Sequence, residues 1–60
     1  SEKIDEIRET SKTIIVSIDN SRIEGKIWDF DDEHLILNRE NEQIAIPWNE
    51  ITWIGVKDDN

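Results

Sequence analysis

The sequence has no cysteine, a single histidine and a single proline. The lack of cysteine excludes disulfides, thiolate zinc sites and cysteine nucleophiles, and one histidine excludes a multi-histidine metal site within one chain. No apolar run approaches the ~18–20 residues of a membrane span, and there is no secretory signal pattern. We therefore expect a cytoplasmic protein that contacts no membrane and needs no cofactor.

Positive charge is also scarce. Fifteen Asp and Glu residues against seven Lys and Arg give a formal net charge of −8. This is the wrong sign for holding nucleic acid by neutralising phosphates, and it suits a basic partner, a cation or plain solubility. A chain of 60 residues buries only roughly 60% of its unfolded surface, so oligomerisation is the stabilising device that remains.

The N-terminal segment predicts a short helix over about residues 2–10. Its apolar stripe consists of Ile4 and Ile7 only, so the helix must lie on another element, and a frayed terminus is the alternative. Beyond it, apolar and polar residues alternate between clusters of turn residues, which indicates short antiparallel strands. We predict one domain over residues 1–60, with strands at about 12–19, 22–30, 34–39, 43–47 and 51–57.

The second of these strands determines the fold. Ile23 and Ile27 bracket Gly25, whereas Trp28 and Phe30 have the opposite parity. Because strand side chains alternate between faces, the strand must be buried on both sides or change face midway. A glycine inside a strand permits a bend or the close approach of another backbone. We predict a mainly β fold, with an N-terminal α-helix followed by a strongly bent five-stranded antiparallel SH3-like barrel.

Several motifs resemble those of the Sm-like family, and the bacterial Hfq branch in particular. Gly25, Phe30-Asp31 and Leu35-Ile36-Leu37 are similar to its first motif, and residues 46–54 to its second. The resemblance implies the Sm fold, an RNA-associated role and a homo-oligomeric ring of about five to seven subunits, in which the fourth strand of one subunit pairs with the fifth of the next. The implied interface residues are Ile44, Ile46, Trp53, Ile54 and Val56.

The positions at which this family grips bases carry different chemistry in this chain. The stacking position is Glu33, the next contact position is Leu35, and the basic position falls within Pro47-Trp48-Asn49. Ring symmetry would repeat three consecutive acids around the pore, where like charges repel each other and phosphate. We therefore expect an atypical, acidic ligand or RNA rim without the usual uridine-binding residues. Its members are Asp31, Asp32, Glu33, Trp48 and Asn49.

Each candidate feature has a structural alternative. The segment from Asp31 to His34 could hold a divalent cation, but a solvated turn with Asp31 bonding backbone amides is favoured, and we predict no metal site. Trp48 could stack on a base, although packing in the barrel or an interface is favoured. Trp28 and Trp53 are predicted to be packed because they lie within apolar strand patterns.

Basic side chains near the helix are the best remaining place for nucleic acid. The candidate patch consists of Lys3, Arg8 and Lys12, with Arg22 and Lys26 on the strands. Acidic residues outnumber the cations of the helix, so ordinary surface ion pairs are the alternative.

Two functions remain open, and neither is catalytic. There is no second histidine, phosphate-binding glycine loop or nucleophile elbow, so we predict a non-enzyme. The first function is a ring-forming Sm-like protein that binds RNA or scaffolds other proteins. The alternative is a protein-binding module, or an acidic mimic of nucleic acid, that engages a basic protein partner and no RNA. A metal-dependent enzyme would require a cation at residues 31–33.

Overall fold

A computed structural model describes residues 2–57, so residue 1 and residues 58–60 of the predicted domain lie outside the described part. The predicted fold class is confirmed, because one N-terminal helix precedes five antiparallel strands. Each observed end lies within one residue of its predicted position. The elements are α1 (Glu2–Glu9), β1 (Thr13–Ile18), β2 (Ser21–Phe30), β3 (His34–Arg39), β4 (Glu42–Pro47), the 3₁₀ turn η1 (Trp48–Glu50) and β5 (Ile51–Val56).

No helix in residues 2–57 is long and apolar enough to cross a membrane. The helix α1 instead lies on the sheet, where Ile7 is 8% exposed and joins the core. Arg8 fixes the helix to β2, since its Nη1 lies 3.2 Å from Asp29 Oδ1 and its Cζ 5.4 Å from the centre of the Phe30 ring. The narrow apolar stripe is thus supplemented by an ion pair and a cation–π contact.

The five strands form one sheet in the order β4-β3-β2-β1-β5. The central strand, β2, joins the pair β3–β4 on one side to the pair β1–β5 on the other. Its first part pairs with β1 as far as Lys26, and its second part pairs with β3 from Lys26 onward. Gly25 lies at this change of partner, where a Cβ atom would be 3.0 Å from the backbone oxygen of Asn38. A side chain there would press against the neighbouring strand, which would have to shift by a few tenths of an ångström, so the close approach of the two backbones favours glycine.

The core fills the inside of the curved sheet. Ile14, Val16, Leu35 and Leu37 are fully buried, and they come from β1 and β3. The remaining buried members lie around them: Ile7, Ile27 and Ile46. Buried and half-buried residues alternate along β1 and β3, which is the two-residue period expected of strands with one face on the core.

A β-bulge at Trp28 changes the face of β2. Ile27 pairs with Leu37 whereas Asp29 pairs with Ile36, so the register shifts by one residue. The shift lets both Ile27 and Phe30 pack on the core although they are three residues apart. It also leaves Trp28 outside, 57% exposed.

The prediction that Trp28 and Trp53 are packed is therefore wrong for the single chain. Trp53 is 52% exposed on the outer face of β5. Its indole lies directly against Gly55, where an added Cβ would clash with the ring, and Arg22 Cζ lies 6.0 Å from the ring centre. The error arose because apolar spacing does not reveal which face of an edge strand is covered.

Candidate functional site: the acidic rim and the sheet edges

The β2–β3 turn is ordered by the carboxylate of Asp31. Its Oδ1 accepts hydrogen bonds from the backbone N–H groups of Glu33 at 2.8 Å and His34 at 2.6 Å. The Asp31 N–H donates in turn to the His34 carbonyl at 2.9 Å. This is the amide-bonding turn that the sequence favoured, and it holds Asp32 and Glu33 outward as exposed side chains.

Trp48 connects this turn to the loop before β5. Its backbone N–H donates to the Glu33 carbonyl at 3.0 Å, and its indole Nε1–H donates to the Asp31 carbonyl at 2.7 Å. Pro47, with φ of −61° and ψ of 133°, leads into the 3₁₀ turn that positions the indole. The ring is half-buried against the core, so its orientation is fixed by both packing and hydrogen bonding.

The five predicted rim residues border two neighbouring cavities that share Trp48 as a wall. We call this set the acidic rim: Asp31, Asp32, Glu33, Trp48 and Asn49. The larger cavity, of about 530 Å³, is lined by Ile4, Phe30, Asp31, Asp32 and Trp48. The smaller, of about 280 Å³, is lined by Asp32, Glu33, His34, Pro47, Trp48 and Asn49.

Hydrogen bonding lowers the pKa of Asp31 below its ordinary value, chiefly through the backbone N–H of Glu33 and then that of His34. A lowered folded-state pKa contributes stability that is present above the unfolded pKa and is lost as pH falls through the folded pKa. The effect is therefore complete at neutral pH, begins to decline near the ordinary aspartate pKa of about 4, and is lost as the pH falls through the lower folded-state pKa of Asp31.

We expect the Asp31→Asn variant to be less stable than the wild type at neutral pH, and the difference to vanish as the medium is acidified. Urea unfolding at about pH 7 and about pH 3 would measure both differences. Asp32→Asn is the matched control, since it removes the same charge from the next residue. Unlike Asp31, the Asp32 side chain makes no hydrogen bond among residues 3–57. Equal stability of wild type and Asp31→Asn at neutral pH would contradict the turn as described.

No group of three or more His, Asp or Glu side chains within residues 2–57 is placed to hold a metal ion. The nearest contact of this kind joins His34 Nδ1 to Asp31 Oδ1 at 3.7 Å, which is an ion pair only when the histidine is protonated. Asp31, Asp32 and Glu33 are all exposed.

The candidate basic patch is already partly neutralised. Arg8 lies between Asp5, at 3.4 Å, and Asp29, at 3.2 Å. Lys3 and Lys12 are exposed and have no ion-pair partner among the side chains of residues 3–57. Of the two strand cations, Arg22 lies over Trp53, whereas Lys26 is exposed on β2.

All five predicted interface residues lie on the two edge strands, β4 and β5. Trp53 and Val56 are 52% and 45% exposed on β5, while Ile44 and Ile54 are half-buried. Ile46 is only 2% exposed, and its side chain packs in the core of its own chain. Within residues 2–57, β4 pairs only with β3 and β5 only with β1, which leaves one side of each strand without a neighbour.

The sequence did not indicate that α1 borders the larger cavity beside the acidic rim. Ile4 and Phe30 line the larger cavity, and Arg8 joins α1 to β2. The spacing of Asp5 and Arg8 signals their helical pair, but nothing local signals Asp29, since it lies 21 residues away. The Trp48–Asp31 bond had no signal either, because it depends on how two distant loops meet.

Comparison with known proteins supports the fold. No protein-family model matches the sequence, and no curated protein matches it. Among solved structures, the chain is similar to the crystal structure of the pleiotropic translational regulator Hfq, with a TM-score of 0.85 and 19% sequence identity. The likeness covers 93% of this chain and 86% of that chain. At this identity it shows the fold alone, which is Sm-like.

Proposed function

We propose that the chain is the subunit of a homo-oligomeric, Sm-like ring with an RNA-associated role, either binding RNA or scaffolding proteins that do. The observation that carries this proposal is the pair of unpaired edges, β4 and β5, at opposite ends of one sheet. Unpaired edges with apolar residues are a liability for a monomer. Head-to-tail pairing of β4 with the β5 of the next copy satisfies both edges, and rotation closes the contacts into a ring.

The RNA-associated part of the proposal comes from the likeness to a translational regulator. Charge argues against the rim as the binding surface, because Asp31, Asp32 and Glu33 are exposed and no basic residue lines either cavity apart from His34. The exposed Lys3 and Lys12, on the helix side of the barrel, are a better surface for RNA than the rim. We infer a ring of about five to seven subunits whose acidic pore rejects phosphate.

We also propose that the protein is not an enzyme and acts in the cytoplasm without a cofactor. Support comes from the described side chains: His34 has one carboxylate neighbour, Asp31, and no nucleophile or second base contacts it in residues 2–57. General acid–base or nucleophilic catalysis would require such a partner within hydrogen-bond reach.

Native mass spectrometry, with the protein alone and with a short oligo-uridine, tests the proposal. We expect a closed assembly of uniform subunit number that binds oligo-uridine weakly and loses it as salt is raised. A ring that binds no RNA at any salt concentration would restrict the role to scaffolding. A protein that remains monomeric at micromolar concentration would remove the ring.

A second candidate function is a protein-binding module that engages a basic partner. It is favoured by one specific observation, the two cavities bordered by exposed carboxylates beside an ordered tryptophan. This candidate needs no RNA and is compatible with either a ring or a monomer. Salt-sensitive retention of basic proteins, in the absence of RNA binding, would distinguish it from the first.

A further inference from the structure

The larger cavity of the acidic rim combines two kinds of wall. The rings of Phe30 and Trp48 and the side chain of Ile4 supply apolar surface, and Asp31 and Asp32 supply carboxylates. No Lys or Arg is among the lining residues. At about 530 Å³ the space is large enough for a long side chain of another molecule. Aromatic faces beside carboxylates are the chemistry that recognises an organic cation.

Two of the walls are held in place before any ligand arrives. The Trp48 indole is fixed by its 2.7 Å bond to the Asp31 carbonyl. Asp31 uses only Oδ1 for its two backbone hydrogen bonds, so Oδ2 accepts none within residues 2–57, and neither oxygen of Asp32 accepts one there. The cavity therefore offers ordered aromatic surface together with unused acceptors, which lowers the ordering cost of binding.

The ring of Phe30, which lines the cavity, already has a guanidinium beside it. Arg8 Cζ lies 5.4 Å from the centre of Phe30, and Arg8 Nη1 lies 3.2 Å from Asp29 Oδ1. The cavity repeats this combination of an aromatic ring and a carboxylate, with Trp48 and Asp32, but none of the described residues that line it is a cation. Arg8 thus shows, within this chain, how a guanidinium can contact an aromatic ring and a carboxylate together.

We infer that this cavity binds the guanidinium group of an arginine side chain from a basic segment of a partner protein. Arginine fits better than lysine because a planar guanidinium stacks on an indole and donates two parallel hydrogen bonds to a carboxylate. Nucleic acid fits poorly, since both polar side chains in the cavity repel phosphate. The site is complete within one subunit, so it does not depend on ring assembly, and it gives the second candidate function a specific location.

Nuclear magnetic resonance of the ¹⁵N-labelled protein tests the inference through the Trp48 indole N–H signal, which the Trp48→Phe variant identifies. The probe is a blocked hexapeptide of alternating glycine and arginine, compared with the same peptide containing lysine or neutral citrulline. We expect the arginine peptide to shift the Trp48 signal and saturate. The lysine peptide should bind about fivefold more weakly, and the citrulline peptide should have no effect.

Two variants of equal charge locate the site. Asp32→Asn should weaken the arginine peptide about three- to fivefold, whereas Asp19→Asn, in the β1–β2 turn, should change it less than twofold. Equal weakening by both variants, equal binding of lysine and arginine peptides, or no shift at Trp48 would each overturn the inference. A larger Trp48 shift with oligo-uridine than with the arginine peptide would assign the cavity to nucleic acid instead.

The inference and the proposed ring can fail separately. A monomer that binds the arginine peptide selectively at Trp48 keeps the inference and removes the ring. A ring whose Trp48 signal is unaffected by the peptide keeps the ring and removes the inference. Native mass spectrometry of the same samples distinguishes these results.

Discussion

The Leu37→Ala variant is expected to lose about 3 kcal/mol of its free energy of unfolding, which is a third or more of what a chain of this size has. Leu37 is fully buried and pairs with Ile27 on one side and Ile44 on the other. It also packs closely against Gly25, since a Cβ atom added to that glycine would lie 3.4 Å from the Leu37 Cβ. The surrounding strands cannot collapse into the cavity without breaking their pairing. Globular domains have roughly 0.05–0.15 kcal/mol of stability per residue, so the wild type has roughly 3–9 kcal/mol and the variant should unfold at a clearly lower urea concentration.

Urea unfolding followed by circular dichroism, at one fixed protein concentration, measures this loss. The adjacent Ile36→Ala variant is the control, since Ile36 is on the same strand but half-exposed on the other face. It should cost about 1 kcal/mol. Equal losses for the two variants would show that the core does not lie where the burial pattern places it.

The Val56→Asp variant is expected to separate the proposed ring into folded monomers. Val56 lies on the unpaired edge of β5, is 45% exposed and pairs with the buried Ile14 on its inner side. In the monomer the new carboxylate can stay in water, but a neighbouring β4 would bury it without a partner. Burying an unpaired charge costs several kcal/mol, so the dissociation constant of each contact should rise by roughly a hundredfold or more.

Native mass spectrometry measures the assembly of this variant, and circular dichroism checks that the monomer remains folded. Val56→Thr is the matched control, because it keeps the β-branched shape without a charge and should still assemble. Ile44→Asp tests the opposite edge, although its half-buried position makes unfolding a competing outcome. A ring that survives Val56→Asp and Ile44→Asp would exclude the β4–β5 contact.

The strands and their order along the chain could be predicted because each is short, alternates in polarity and ends at polar turn residues. The special role of Gly25 could be predicted as well, since a glycine inside a strand permits the close approach of another backbone. The exposure of Trp28 could not. A two-residue period assigns faces only while the register is constant, and the bulge after Ile27 shifts it.

The candidate site also has a part that the sequence predicts and a part that it does not. The turn built by Asp31 follows from local chemistry, since an aspartate that begins a turn accepts amide hydrogen bonds from the next residues. The partners of Arg8 and Trp48 lie 21 and 17 residues away in sequence. Such contacts depend on how the sheet curves, which the sequence pattern of one strand does not encode.

The order of the strands in the sheet has a consequence for how the chain reaches its assembled state. The pairings β1–β2, β2–β3 and β3–β4 each join consecutive strands, whereas β1–β5 joins Ile14 to Val56, near opposite ends of the chain. Closing that long loop carries the largest entropic cost, and non-local pairing slows folding. One of the two edges needed for a ring is therefore completed last. During synthesis the three hairpins can form in sequence, but a subunit can offer both edges only after its C-terminal strand has docked.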